Sequence, residues 1–178
     1  NTVPKQRQMT MALEIVTVPC LQDNYAFVLH DATTGETAVV DVPDAAPIIA
    51  VLTEKNWTLS QVWLTHPHWD HGDGLADLLA TNPAKVIGAA ADAHRLPPLD
   101  LAVTEGDIFT FAGEDVHIID VSGHTLGHIA LHLPASDALF TADSLMALGC
   151  GRLFEGTPAQ MWGSLKKLMG LPPRTTVY

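Results

Sequence analysis

The sequence predicts an α/β (α+β) fold in which two mixed β-sheets pack face to face and helices cover their outer surfaces. Short apolar or alternating stretches, typical of strands, recur in both halves of the chain, and helical patterns are interspersed among them. Apolar residues make up 47% of the 178 residues and charged residues only 16%. That composition supports one sizeable core and argues against disorder.

The first half of the chain predicts two helices among five strands. Asp44 is suited to cap a helix that continues to about Lys55, and Pro47 is tolerated because it falls in the first turn. A second, short helix is predicted by three leucines at helical spacing, Leu75, Leu78 and Leu79. The strands are predicted at residues 13–18, 26–29, 37–42, 62–64 and 85–87.

The second half of the chain again predicts a series of short strands, together with a helix whose capping residues are clear. Thr157 is the predicted N-cap, Pro158 the first helical residue, and Gln160 the partner that completes a capping box. Strands are predicted at residues 108–111, 116–121, 129–133 and 138–140, and residues 175–178 begin another.

Charge and composition exclude several classes of partner. The formal net charge of −11 disfavours nucleic acid and anionic membrane surfaces, which attract basic patches. No stretch approaches the ~20 apolar residues of a membrane span. Cys20 and Cys150 are far apart, and we expect two free thiols in a reducing, cytoplasmic compartment. We expect a monomer or weak oligomer, with residues 1–10 as a leader or tag-like end.

Residues 65–71, Thr-His-Pro-His-Trp-Asp-His, are the most informative stretch of the chain. Three imidazoles and one carboxylate fall within six consecutive positions, which metal binding explains and folding alone does not. His66 and His68 are two apart, so they point the same way on an extended segment. Asp70 and His71 follow after the chain turns. Two such pairs can serve two adjacent ions.

Further candidate ligands follow two strands of the second half. His124 lies in Ser-Gly-His-Thr-Leu-Gly-His, residues 122–128, where the glycines allow a tight turn. Asp143 follows the strand at 138–140. Ligands gathered from the ends of several strands are typical of a loop-built site on a rigid scaffold. His128 either supports a ligand by a hydrogen bond or packs in the core, and His132 is predicted to face solvent.

The pattern HxHxDH at 66–71, GHTxGH at 123–128 and Asp143 in Phe-Thr-Ala-Asp-Ser resembles the metallo-β-lactamase superfamily, over residues 13–178. The resemblance implies an αβ/βα four-layer sandwich with a one- or two-metal site. The stretches at 18–25 and 149–157 further resemble the glyoxalase II branch, the hydroxyacylglutathione hydrolases.

This second resemblance implies roles for individual residues. A first ion is held by His66, His68 and His124 and a second by Asp70 and His71, with Asp143 bridging them. Asp70 also orients the attacking hydroxide. Arg152 and Phe154 lie where the family contacts the glutathione part of its substrate. The implied cofactor is two divalent ions, zinc in the first instance, with iron or manganese as alternatives.

The family pattern continues beyond the strand at 175–178 with a Cys-Gly-His segment, whose His completes the second metal site, and a helical domain. We therefore expect a metallo-β-lactamase-type domain at residues 11–178, truncated before the family's last metal ligand, with a weak second site. The expected reaction is hydrolysis of S-2-hydroxyacylglutathione, of the S-lactoylglutathione type, to a 2-hydroxy acid and glutathione. The alternatives are another activity on this fold (persulfide dioxygenase, lactonase or β-lactamase) or a weakly active metal-binding fragment.

Overall fold

The structure, a computed structural model, describes residues 13–178, and the predicted leader at 1–10 lies outside the described residues. Eleven strands within these residues form two sheets. The first sheet has six strands in sequential order, β1 Glu14–Cys20, β2 Asn24–His30, β3 Thr37–Val40, β4 Gln61–Leu64, β5 Lys85–Ala89 and β6 Leu101–Val103. Its first three strands are antiparallel, and β3 to β6 run parallel, so the sheet is mixed as predicted.

The second sheet has five strands in the order β11-β10-β9-β8-β7. Four of them pair antiparallel, and β10 and β11 pair parallel. The strands are β7 Ile108–Phe111, β8 Glu114–Asp120, β9 Ile129–Leu133, β10 Ala138–Phe140 and β11 Thr176–Val177. Each of them overlaps a strand predicted from the sequence.

Helices cover both outer faces, which confirms the αβ/βα layering. The helices are α1 Ala45–Lys55, α2 Trp69–Gly72, α3 Leu75–Thr81 and α4 Pro158–Met169. Side chains of α1 and α3 pack on the first sheet, and Leu168 of α4 packs on the second. Between the sheets, Trp63 lies edge-on to Phe109 and Phe111 with ring centroids 5.4 and 5.3 Å apart, so both halves of the chain share one core.

The helix caps match the sequence prediction. Asp44 Oδ1 accepts a hydrogen bond from the Ala46 amide at 3.1 Å at the start of α1. Thr157 and Gln160 form the reciprocal capping box of α4, with Pro158 in the first turn. These caps satisfy backbone donors that a helix start leaves unpaired.

Two local predictions needed correction. The third strand ends at Val40, two residues earlier than expected, because Asp41 takes a left-handed conformation with φ 57°. The strand β6 was missed, since Leu101–Val103 is too short to show a periodicity. None of the helices described here combines the length and the apolar character that crossing a membrane requires.

Candidate metal centre

The ligand-rich stretch begins where β4 ends. Thr65 to His68 continue the strand direction, and Asp70 and His71 lie on the short helix α2. His66 is fully buried, His71 is buried, and His68 is half-buried. The helical turn brings His71 back toward His66, with ring centroids 4.2 Å apart, and ligand atoms of Asp41, His66 and His71 all lie within 4.8 Å of one another.

Three imidazoles converge at the end of β4. Ring nitrogens of His66, His68 and His124 all lie within 4.8 Å of one another. His124 is delivered by the turn after β8, and its Nε2 lies 2.9 Å from Nδ1 of His68. This is the spacing of donors that share one ion.

Hydrogen bonds at the opposite nitrogens fix the ring orientations. His124 Nδ1 donates to the Arg152 carbonyl at 2.6 Å, and a carbonyl can only accept. Thr65 Oγ1 donates to Asp41 at 2.7 Å, and it therefore accepts from His66 Nδ1 at 2.9 Å. In both rings Nε2 is left with a lone pair. The Nε2 atom of His66 is buried without a partner among the described residues, which fits a bound metal.

Electrostatics favour the neutral, ligating form of these imidazoles. Burial, reinforced by four neighbouring histidines, holds the pKa of His66 far below its usual range. Burial and His124 likewise lower the pKa of His68. Because a metal ion binds the unprotonated ring, these residues need not lose a proton before binding at neutral pH.

Asp143 lies between the two groups of ligands. It follows β10, and its Oδ2 is 3.2 Å from His124 Nε2 while its Oδ1 is 3.2 Å from His71 Nε2. Burial alone would raise the pKa of this carboxyl, but the hydrogen bond and charge of His71 lower it overall. A carboxylate with one oxygen toward each histidine is suited to bridge two ions.

His71 is enclosed by two carboxylates. Its Nδ1 donates to Asp41 Oδ2 at 2.8 Å, and its Nε2 faces Asp143. Burial would lower the pKa of His71, yet the hydrogen bonds to Asp143 and Asp41 outweigh it and raise the pKa to about 10. The two carboxylates therefore favour positive charge at this position, which is where the sequence places the second ion.

Asp70 is oriented by Asn24 at the start of β2. Asn24 Nδ2 lies 3.1 Å from both the carbonyl oxygen and Oδ2 of Asp70, so it can donate to either. Asparagine at a strand connection is by itself typical of a turn. Its contact with Asp70 shows that the β1–β2 turn supports the site.

Sequence reasoning missed Asp41, which links both ligand groups. It is 2% exposed and accepts hydrogen bonds from the Thr65 amide and hydroxyl and from His71. The sequence does contain an indication of this role, since a carboxylate directly follows the apolar run of β3. A carboxylate buried there must be hydrogen-bonded or paired with a charge.

Arg152 and Phe154 lie at the mouth of the site. The Phe154 ring stands edge-on to His68 and His124, with centroids 5.4 and 5.3 Å away. The guanidinium carbon of Arg152 is 5.1 Å from the Phe154 ring centroid. Both side chains are exposed and therefore available to a ligand.

His128, which ends the second motif, and His132, which follows it on β9, differ from each other. His128 is fully buried, and its ring stacks on His66 at 4.5 Å with an interplanar angle of 13°. Burial lowers the pKa of His128 to about 3. The prediction that His132 faces solvent was wrong: it is 7% exposed. Ala130, two residues earlier on the same face of β9, packs in one cluster with Leu168 of α4, so this face is partly covered.

Fold and site together define a protein of the αβ/βα sandwich class with a His/Asp site for divalent metal ions. The family model described as metallo-beta-lactamase superfamily matches residues 21–178. The chain therefore belongs to the metallo-β-lactamase superfamily.

Similar proteins agree with this assignment. A protein of Ruegeria pomeroyi named hydroxyacylglutathione hydrolase is 67% identical over 94% of this chain and 66% of its own length. The BLEG-1 B3 metallo-β-lactamase has the same fold, with a TM-score of 0.85 at 22% identity over 92% of this chain and 90% of its own. The protein TTHA1623, solved in a di-iron-bound form, gives a TM-score of 0.74 at 26% identity over 93% and 90%. The chain spans 66% of the length of the Ruegeria relative.

Proposed function

We propose that this protein hydrolyses glutathione thioesters, S-2-hydroxyacylglutathione of the S-lactoylglutathione type, to a 2-hydroxy acid and glutathione. The observation that carries the proposal is Asp143, which faces His124 on one side and His71 on the other beneath the exposed pair Arg152 and Phe154. The name of the Ruegeria pomeroyi relative supports the same reaction.

The proposed cofactor is two divalent ions, zinc in the first instance, with iron or manganese as alternatives. His66, His68, His124 and Asp143 would hold the first ion, and Asp70, His71 and Asp143 the second. Nitrogen and carboxylate donors suit all three metals. Within residues 13–178 the first ion has more ligands than the second, so we infer that the first binds more tightly.

Metal ions in such a site polarise a carbonyl and make water nucleophilic near neutral pH. The chain's own residues position the reactants. Asp70, held by Asn24, orients the attacking water. The leaving thiolate has a pKa near ~8.5 as a free thiol, so it departs without a strong general acid.

Arg152 is the proposed anchor for the glutathione part. Glutathione is anionic, and the chain carries a formal charge of −11, so a cation placed at the mouth must provide local attraction. The Phe154 ring, packed against two ligand histidines, provides an apolar wall beside it. The thioester carbonyl would then lie between this wall and Asp70.

We infer that residues 11–178 form one domain, because both sheets contribute to a shared core. The expected partner is the small thioester alone, without nucleic acid or membrane, in a monomer or weak oligomer. Cys20 and Cys150 are free thiols, which supports a reducing, cytoplasmic location.

The test is a thioesterase assay on the purified, zinc-loaded protein. We expect release of free thiol from S-lactoylglutathione, detected with a thiol-reactive dye, and its loss by at least a hundredfold in Asp70→Asn. Asp73→Asn is the matched control, since Asp73 is exposed and follows the ligand stretch. Oxygen consumption with one iron per chain, or opening of a lactone or β-lactam without thiol release, would contradict the proposal.

A further inference from the structure

Three segments that are distant in sequence meet at Arg95, beside the site. Arg95 follows the 3-10 turn Ala90–Asp92. Its Nε and Nη2 donate to Asp92 Oδ1 at 3.1 and 2.5 Å, and its Nη1 and Nη2 donate to the two carboxylate oxygens of Glu155. A planar guanidinium that engages two carboxylates has little freedom to move.

Both carboxylates also contact the turn that carries His124. Glu155 Oε2 accepts a hydrogen bond from the Leu126 amide at 2.8 Å. Asp92 is 1% exposed, and its carboxylate lies so close to Gly127 that a Cβ at this position would overlap it. Arg95 therefore fixes two supports of the ligand turn at once.

The backbone joins the same turn to the segment that carries Arg152 and Phe154. The Phe154 amide donates to the His124 carbonyl at 3.2 Å, and the Gly156 amide donates to the Gly123 carbonyl at 3.0 Å. His124 Nδ1 donates to the Arg152 carbonyl. A displacement of segment 152–156 would thus rotate the His124 ring.

We propose that Arg95 is a positioning residue that locks the His124 turn to segment 152–156, so that one ion pair sets both the first metal site and the substrate mouth. Among the described residues, the hydrogen bonds of Arg95 go to Asp92 and Glu155 and not to a ligand nitrogen. Its effect passes through Glu155 and Asp92. The inference that Arg95 sets the first metal site rests on the geometry. The inference that it sets the substrate mouth rests on the proposed function.

The test compares Arg95→Met with Arg174→Met in the full chain. Arg174 Nε donates to Asp137 Oδ1 at 2.6 Å, before β10 and therefore at the opposite end of that strand from Asp143. It is a matched arginine–carboxylate pair away from the site. Zinc affinity is measured by competition with a chromophoric chelator, the absorption spectrum of the cobalt-loaded protein reports ligand geometry, and thermal unfolding reports stability.

We expect Arg95→Met to weaken zinc binding by about tenfold, the lower end of the loss that follows removal of a direct partner of a metal ligand, because Arg95 acts through Glu155 and Asp92. The cobalt spectrum should shift, and Arg95→Lys should recover part of the affinity. Arg174→Met should leave both readouts as in the parent protein. A zinc affinity of Arg95→Met within threefold of that of Arg174→Met overturns the proposal, whatever the stability of the two variants.

If Arg95→Met does not fold, the zinc affinity of Glu155→Gln is compared with that of Arg174→Met instead. It keeps an acceptor for the Leu126 amide and removes the charge that holds Arg95. A zinc affinity at least threefold weaker than in Arg174→Met supports the inference, and a smaller difference overturns it. A protein that shows this metal effect but hydrolyses no thioester contradicts the proposed function alone.

Discussion

Asp41 Oδ2 accepts a hydrogen bond from His71 Nδ1 at 2.8 Å, and this contact joins the end of β3 to the helix that carries the second group of ligands. The same carboxylate holds Thr65, whose hydroxyl in turn orients His66. One buried side chain therefore sets the ring orientation of a ligand in each group.

Asp41→Asn tests this arrangement. Asparagine tolerates the left-handed backbone of residue 41, but its amide end presents donors where Asp41 now only accepts. We expect metal affinity to fall by roughly 10- to 100-fold and stability by about 1–3 kcal/mol. Chelator competition and urea unfolding measure the two effects.

Asp44→Asn is the control for that variant, because asparagine caps a helix as well as aspartate does. It should leave metal affinity unchanged. Equal affinities in the two variants would show that Asp41 does not orient the ligands.

Gly151 is the second test position. A Cβ at residue 151 would contact the Asp143 carbonyl oxygen and stand 3.0 Å from His124 Nδ1, whereas a Cβ at Gly149 meets nothing within 4 Å. Gly151→Ala should therefore displace His124 or Asp143 and weaken metal binding by about tenfold, by analogy with other outer contacts of ligands. Gly149→Ala is the matched control, and isothermal titration with zinc compares them. Equal zinc affinities in the two alanine variants would show that the site tolerates a displacement of the backbone at residue 151.

Metal removal should destabilise the protein. The Nε2 atom of buried His66 has no hydrogen-bond partner among the described residues, and a bound ion would supply one. Zinc at about 100 times its dissociation constant should add roughly 2.7 kcal/mol, which corresponds to an increase of about 5–10 °C in the unfolding midpoint for a chain of this size. Thermal unfolding followed by circular dichroism, once with a chelator and once with zinc, compares the two midpoints. Magnesium, which prefers oxygen ligands, should not replace zinc, and a midpoint insensitive to zinc would contradict metal binding here.

The Arg95–Glu155 pair predicts a pH dependence. The hydrogen bond from Arg95 lowers the pKa of Glu155 to about 2. A carboxyl whose pKa is lower in the folded state stabilises the fold above its unfolded pKa, about 4.5, and this contribution is lost as the pH falls toward 2. The stability difference between the parent protein and Glu155→Gln should therefore shrink between pH 5 and pH 2.5. Urea unfolding of the metal-free proteins measures it, and a constant difference would show that Glu155 titrates normally.

The sequence by itself predicted two packed sheets and a set of candidate ligands because both depend on local patterns, whereas the resemblance to the metallo-β-lactamase superfamily implied the four-layer arrangement and the division of the ligands between two ions. Hydrophobic periodicity placed most strands, and the capping residues around Asp44 and Thr157 placed the starts of two helices. The density of histidines at 65–71 singled out a metal site without any knowledge of the fold, and the structure brings His124 and Asp143 to it.

Only the tertiary structure decided which residues support those ligands. Asp41 lies 30 positions before His71, and Arg95 lies 60 positions before Glu155, and no local pattern relates such partners. Their contacts arise when the two sheets pack and bring strand ends and turns to one edge. The burial of His132 likewise depends on elements distant in sequence. The candidate ligands can thus be identified from short motifs, whereas their orientation depends on the packed fold.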